Sequence, residues 1–173
     1  VGVWNEPLKL KATLRGPGLD AALDGSAEPF KGERAGTLAV NVRKADLAPL
    51  LGAAQPVALS LSSQAVIAGE RIALDKIDGT LAGSRLRGKL ALTVGDDLGL
   101  DGDLSADTLD IPTVLLAAIG ASGHDSAEPL NRGLLSGWRG RVALSSARAT
   151  LPGGELRPFS GTVKHDGQAL VFE

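Results

Sequence analysis

The sequence predicts a mostly β, largely antiparallel fold with short capping helices. Three observations carry that reading. Apolar and polar residues alternate with period two along much of the chain, as the opposite-pointing side chains of a strand require. Clusters of Gly, Pro and Asp punctuate these runs at short intervals. Strands joined by so few residues run mostly antiparallel, because a parallel crossover takes a dozen residues or more. The alternation is also clean, so one face is apolar and the other wet; buried parallel strands would read as continuous apolar runs.

The elements follow in order. Leu8, Leu10, Ala12 and Leu14 lie opposite Lys9, Lys11, Thr13 and Arg15. Leu38, Val40 and Val42 alternate with Ala39, Asn41 and Arg43, and Val57, Leu59 and Leu61 with Ala58, Ser60 and Ser62. Ile72 and Leu74 make a shorter case. Leu86, Gly88, Leu90, Leu92 and Val94 oppose Arg85, Arg87, Lys89, Ala91 and Thr93. Leu98, Leu100, Gly102 and Leu104 oppose Gly99, Asp101 and Asp103; Val142 and Leu144 make another short case, and 168–173 reads as a strand cut off mid-pattern. The expected turns are Gly16-Pro17-Gly18, Asp24-Gly25, Asp78-Gly79, Gly95-Asp96-Asp97 and Pro152-Gly153-Gly154. Two stretches break the period. Asp46 precedes an apolar run ending at Gly52, and Asp110 precedes one ending at Gly120, each with Pro near its start. Both read as short helices capped by Asp. Residues 121–137 read as a loop.

Composition narrows the function classes. The chain has 173 residues, enough to bury a core without disulfide or metal staples. A net charge of −2 and 3% aromatic residues argue against nucleic acid, which calls for a basic footprint and rings for stacking. Cys is absent, so no zinc finger, disulfide scaffold or cysteine nucleophile is available. No apolar run approaches the ~18 residues of a membrane span. The lack of any Met and the strand-like last residues lead to the expectation of a processed chain or an excised fragment.

An internal repeat is the strongest signal. Arg71-Ile72-Ala73-Leu74 aligns on Arg141-Val142-Ala143-Leu144, and the same offset carries Thr80-Leu81, Gly83 and Leu86-Arg87 onto their counterparts. Asp46-Leu47 and Asp110-Ile111 match at a similar spacing. A period of about 65–70 residues divides the chain into units 1–52, 53–120 and 138–173, with the loop between the last two. Units of this kind bury their apolar faces by continuing a sheet from neighbour to neighbour.

The stretch from Arg71 to Leu92, with its Thr80-Leu81-Ala82-Gly83 turn and Gly88-Lys89-Leu90-Ala91-Leu92 strand, resembles the AsmA-like family of bacterial envelope proteins. So does its continuation through Leu98–Leu104 to Leu109-Asp110-Ile111-Pro112. A weaker second copy covers 138–173. The resemblance implies a long curved antiparallel sheet, a trough of β-taco-like repeats. It implies the Gram-negative periplasm, with the parent protein anchored in the inner membrane outside this stretch. It further implies a part in outer-membrane biogenesis, conducting phospholipid acyl chains along an apolar sheet face, with neighbouring repeats of the same parent chain as protein partners.

The lipid-groove candidates are Leu8, Leu10, Leu14, Leu38, Val40, Val42, Leu59, Leu61, Leu86, Leu90, Leu92 and Val94. The alternative is a structural or adhesive β-repeat of the cell surface, in which the same face is a closed core. No catalytic, cofactor or metal motif is found. His124 and His165 read as solvent-exposed loop histidines, and the Asp-rich run 95–104 is one copy of a pattern that binds calcium only in tandem. Lys9, Lys11, Arg15, Arg85, Arg87 and Lys89 read as solvated charges that discourage edge pairing.

Overall fold

The computed structural model describes residues 7–28, 35–51, 55–95, 98–113, 138–166 and 169–173. They form one open, curved sheet of eleven strands: β1 (Leu8–Gly16), β2 (Leu19–Glu28), β3 (Ala35–Asp46), β4 (Ala58–Ala68), β5 (Arg71–Leu81), β6 (Ser84–Val94), β7 (Leu98–Asp110), β8 (Arg139–Leu151), β9 (Gly154–Leu156), β10 (Phe159–Asp166) and β11 (Leu170–Phe172). Strands follow one another across the sheet in chain order, with β9 and β10 both pairing β8. All pairs are antiparallel except β7 with β8, which run parallel with Leu104 beside Leu144. The long stretch between Asp110 and Arg139 permits this step.

Register places the apolar residues on one face, because directly opposed residues share a face. Leu10 pairs Gly25, which pairs Leu38, which pairs Ala65, which pairs Leu74, which pairs Leu90. The line goes on through Gly102 and Val142 to Val163 and Phe172. The opposite face carries cross-strand ion pairs such as Lys11–Asp24 at 3.8 Å, Arg43–Asp20 at 2.8 Å and Lys89–Asp103 at 3.3 Å.

Asp24-Gly25 and Asp78-Gly79, expected as turns, lie in the middle of β2 and β5. Their glycines answer to close approach of the neighbouring strand. A Cβ on Gly25 would stand 2.1 Å from the Thr37 carbonyl oxygen, and one on Gly79 would stand 2.1 Å from that of Ser60. The actual β5–β6 turn is Ala82-Gly83, with φ of 49° and 82°, the two left-handed residues of a type I′ hairpin. Extra residues bulge from β3 between Val42 and Ala45 and from β5 between Leu74 and Ile77; bulges of this kind bend a strand and raise its twist.

Among the described residues helix is confined to short pieces. Ala48–Leu51 forms α1, and Asp46 Oδ1 accepts from the amides of Ala48 and Val57, both at 3.0 Å. Residues 111–113 are helical after Asp110, whose Oδ2 accepts from the Thr113 amide at 3.1 Å. Both Asp residues therefore sit where the sequence puts its caps. The rest of the second expected helix and the loop 121–137 lie outside the described residues.

The repeat at an offset of 70 reappears as pairing. Leu81 faces Ser84 and Gly79 faces Leu86 in β5–β6, while Leu151 faces Gly154 and Ala149 faces Leu156 in β8–β9. Substitution of Gly79 by Ala should cost about 1–3 kcal/mol through overpacking against Leu61 and the Ser60 carbonyl. Ala82→Gly should raise stability by up to about 1 kcal/mol, since Ala pays a left-handed penalty that Gly does not. Denaturant midpoints of the two variants against the parent chain check both signs.

Candidate functional site

The apolar face is the candidate site. Among the described residues every substantial contact between elements joins hydrogen-bonded neighbours, so no second layer packs on this face. Its side chains show it. Val40, Val42, Leu59, Leu61, Leu86, Leu90 and Leu92 are half-buried, whereas Leu8, Leu10 and Leu14 on the edge strand are 42–48% exposed and Val94 is 54% exposed. Only Leu38, of the twelve candidates, is buried. The twelve share one face and form a band that crosses β1, β3, β4 and β6; Ile72, Leu74, Leu100, Leu104 and Leu144 extend it and were not among them.

Around Trp138 the band gathers into a buried cluster. Trp138 is 2% exposed and packs with Val142 and Val163, against which Leu90, Leu98, Leu100, Leu104 and Leu144 lie. His165 belongs to this cluster and corrects the sequence reading of an exposed loop histidine. It lies in β10, is 8% exposed, and stacks on Trp138 with ring centroids 5.2 Å apart. Its Nδ1–H donates to the Trp138 carbonyl at 2.5 Å. A polar residue on the apolar face escapes the period-two signal, and Lys164-His165-Asp166-Gly167 has the composition of a turn. His124 lies outside the described residues.

Polar chemistry sits on the opposite face. Arg85 donates to both oxygens of Asp78 at 3.2 and 3.1 Å, and this bond holds Asp78 below the usual carboxylate range. A hollow of about 850 Å³ spans β4 to β10 on that face, with Gln64, Asp75, Lys89, Asp103, Arg141 and Thr162 in its lining. Within it Lys89 pairs Asp103 at 3.3 Å. Among the described residues no three His, Cys, Asp or Glu side chains converge as metal ligands, and no helix is long and apolar enough to cross a membrane.

No protein-family model, curated protein or solved structure matches the chain.

Two measurements follow from these groups. Replacing His165 with Ala should cost about 1–3 kcal/mol, well beyond the roughly 0.5 kcal/mol of a surface change, and should shift Trp138 fluorescence as the stacked ring is lost. Asp110 is lowered mainly by the Thr113 hydroxyl, 2.5 Å away, with help from the Thr150 hydroxyl. A carboxyl whose folded pKa is depressed adds stability above its unfolded pKa and loses it as pH falls through the folded value. Asp110→Asn should therefore lower stability at neutral pH, with the deficit against the parent chain shrinking as pH falls through the folded value, so that the acid limb of a stability–pH curve is flattened.

Proposed function

We propose that the chain is a non-enzymatic segment of an AsmA-like periplasmic protein that shields phospholipid acyl chains along its apolar sheet face. The parent protein is anchored in the inner membrane outside this segment and serves outer-membrane biogenesis, and neighbouring repeats of the same chain extend the face. One observation carries this reading: a continuous band of half-buried Leu, Val and Ile crosses the sheet, and among the described residues no second layer lies over it. A sheet face normally buries its apolar side against another element. Here the band offers aliphatic side chains and few rings, a surface that suits saturated chains. Removing a CH₂ from water is worth roughly 0.8 kcal/mol, so a sixteen-carbon chain gains on the order of 10 kcal/mol if fully shielded. No polar catalytic group is needed for that.

The rival, a structural or adhesive repeat, uses the same face as a closed core. The cluster at Trp138 favours it locally; the exposure of Leu8, Leu10 and Val94 favours an open surface.

Leu92, half-buried between Ile72 and Leu100, separates the two. On an open face, Leu92→Asp keeps its carboxylate hydrated, so the melting transition survives while phospholipid retained by the purified chain falls. In a closed core the same change buries an unpaired charge and the sheet unfolds. Native mass spectrometry and thermal melting on one preparation read both. A wild-type chain that purifies without lipid and a variant that collapses would overturn the proposal in favour of the structural repeat.

A further inference from the structure

The polar face follows a rule of charge. Strands β1, β6 and β8 carry only cations: Lys9, Lys11 and Arg15; Arg85, Arg87 and Lys89; Arg139, Arg141 and Arg148. Strands β2 and β7 carry only acids: Asp20, Asp24 and Glu28; Asp101, Asp103, Asp107 and Asp110. No two adjacent strands of the sheet carry charge of one sign alone. The basic strands inside the sheet have acids on both sides. β6 lies between β5, whose Asp78 bonds Arg85, and β7, whose Asp103 pairs Lys89. β8 lies between β7, whose Asp101 accepts from the Arg141 amide at 3.2 Å, and, on its other edge, β9, whose Glu155 stands 3.9 Å from Arg148, and β10, where Asp166 faces Arg139 and Lys164 faces Arg141.

β1 breaks the rule on one side only. It pairs β2 and, among the described residues, nothing else. Lys11 reaches Asp24, but Lys9 faces Ser26, and the Asp20 opposite Arg15 is taken by Arg43. Among the described residues Lys9 and Arg15 have no carboxylate partner. The same strand leaves Leu8, Leu10 and Leu14 the most exposed leucines of the band, and alternate backbone N–H and C=O groups of an edge strand point away from its only neighbour.

We infer that the edge of β1 left unpaired among the described residues takes a further β-strand with acidic residues on the polar face and aliphatic residues on the apolar face. Such a strand would set carboxylates opposite Lys9, Lys11 and Arg15 and aliphatics against Leu8, Leu10 and Leu14, and so repeat what flanks β6. Opposite charges directly across strands stabilise a pair and like charges oppose it. A second copy is the weaker occupant. Two β1 strands paired about Ala12 would set Lys9 against Arg15, and β11 at the other edge is three residues long without charge. The cations of β1 thus disfavour basic or self pairing and favour an acidic strand. The inference concerns the sheet edge and stands whether or not the apolar face carries lipid.

The test uses two synthetic peptides and the whole chain. One peptide has the sequence of residues 98–110, an acidic strand of the required alternation; the other is the same peptide with Asp101→Lys, Asp103→Lys, Asp107→Lys and Asp110→Lys. The acidic peptide should bind saturably, protect alternate amides of 8–16 from hydrogen exchange, and weaken as salt rises. The basic peptide should bind about tenfold or more weaker. In the Lys9→Glu/Lys11→Glu/Arg15→Glu variant, which must retain its melting transition, the preference should reverse. Equal binding of the two peptides, no binding of the acidic one, protection away from β1, or self-association of the chain that protects β1 would each overturn the inference. The comparison on the unaltered chain decides even if the variant fails to fold.

Discussion

The described residues form a single layer, and its cohesion depends on the contact between neighbouring strands. A two-layer protein can bury its apolar side chains against a second sheet or a helix. Here, among the described residues, each strand packs only on the strands beside it, so the sheet's stability is nearest-neighbour in character, as in solenoids. That places unusual weight on backbone ladders and on cross-strand pairs. It accounts for strands of ten to thirteen residues at β2–β8, longer than the common five or six. It also accounts for the ion pairs on the polar face. Each one alone is exposed and of small worth, but together they fix which strands can be neighbours and in which register.

Glycine serves the same constraint. In mid-strand, a Cβ on Gly88 or Gly140 would fall 2.1 or 2.2 Å from a carbonyl oxygen of the next strand, and their φ values are 147° and 133°. The backbone there takes a path that side chains do not allow, and the sheet bends without breaking its ladder. Gly25 and Gly79 share the close approach to a neighbouring carbonyl without the positive φ, and this is why Asp-Gly misleads as a turn signal in this chain. The dipeptide reports a need for a residue without Cβ, which a turn and a tightly bent strand have in common.

What could be read from the sequence divides along the range of the interaction concerned. Alternation at 8–15, 86–94 and 98–104 is local, and those strands are found where the pattern puts them. The caps Asp46 and Asp110 are local as well, since a carboxylate needs only the amides two or three residues on. β2 is invisible to the pattern because its inward residues include Ala21, Gly25 and Ala27, too small to register as apolar; Gly161 and His165 hide β10 in the same way. The Trp138–His165 stack and the hollow on the polar face join residues from strands far apart in the chain, and period two carries no information about either. The apolar face is legible residue by residue, whereas the absence of a covering layer among the described residues is not.

The parallel step at β7–β8 ties the repeat to the architecture. β5, β6 and β7 alternate in direction, so β7 ends pointing as β5 began. A further antiparallel strand would point the opposite way and could not restart the same hairpin in the same orientation. By pairing parallel to β7, β8 regains the direction of β5, and Val142 and Leu144 fall on the face of Ile72 and Leu74. The hairpin then repeats at its turn with registers offset by 70 in each strand. It departs where Pro158, which has no N–H to give the ladder, separates β9 from β10. To do this the chain must travel back along a thirteen-residue strand, about 43 Å at 3.3 Å per residue. The residues between Asp110 and Arg139 are ample for that distance. An insertion in sequence is thus what a repeat of odd strand number demands if each copy is to lay its aliphatic residues on one continuous face.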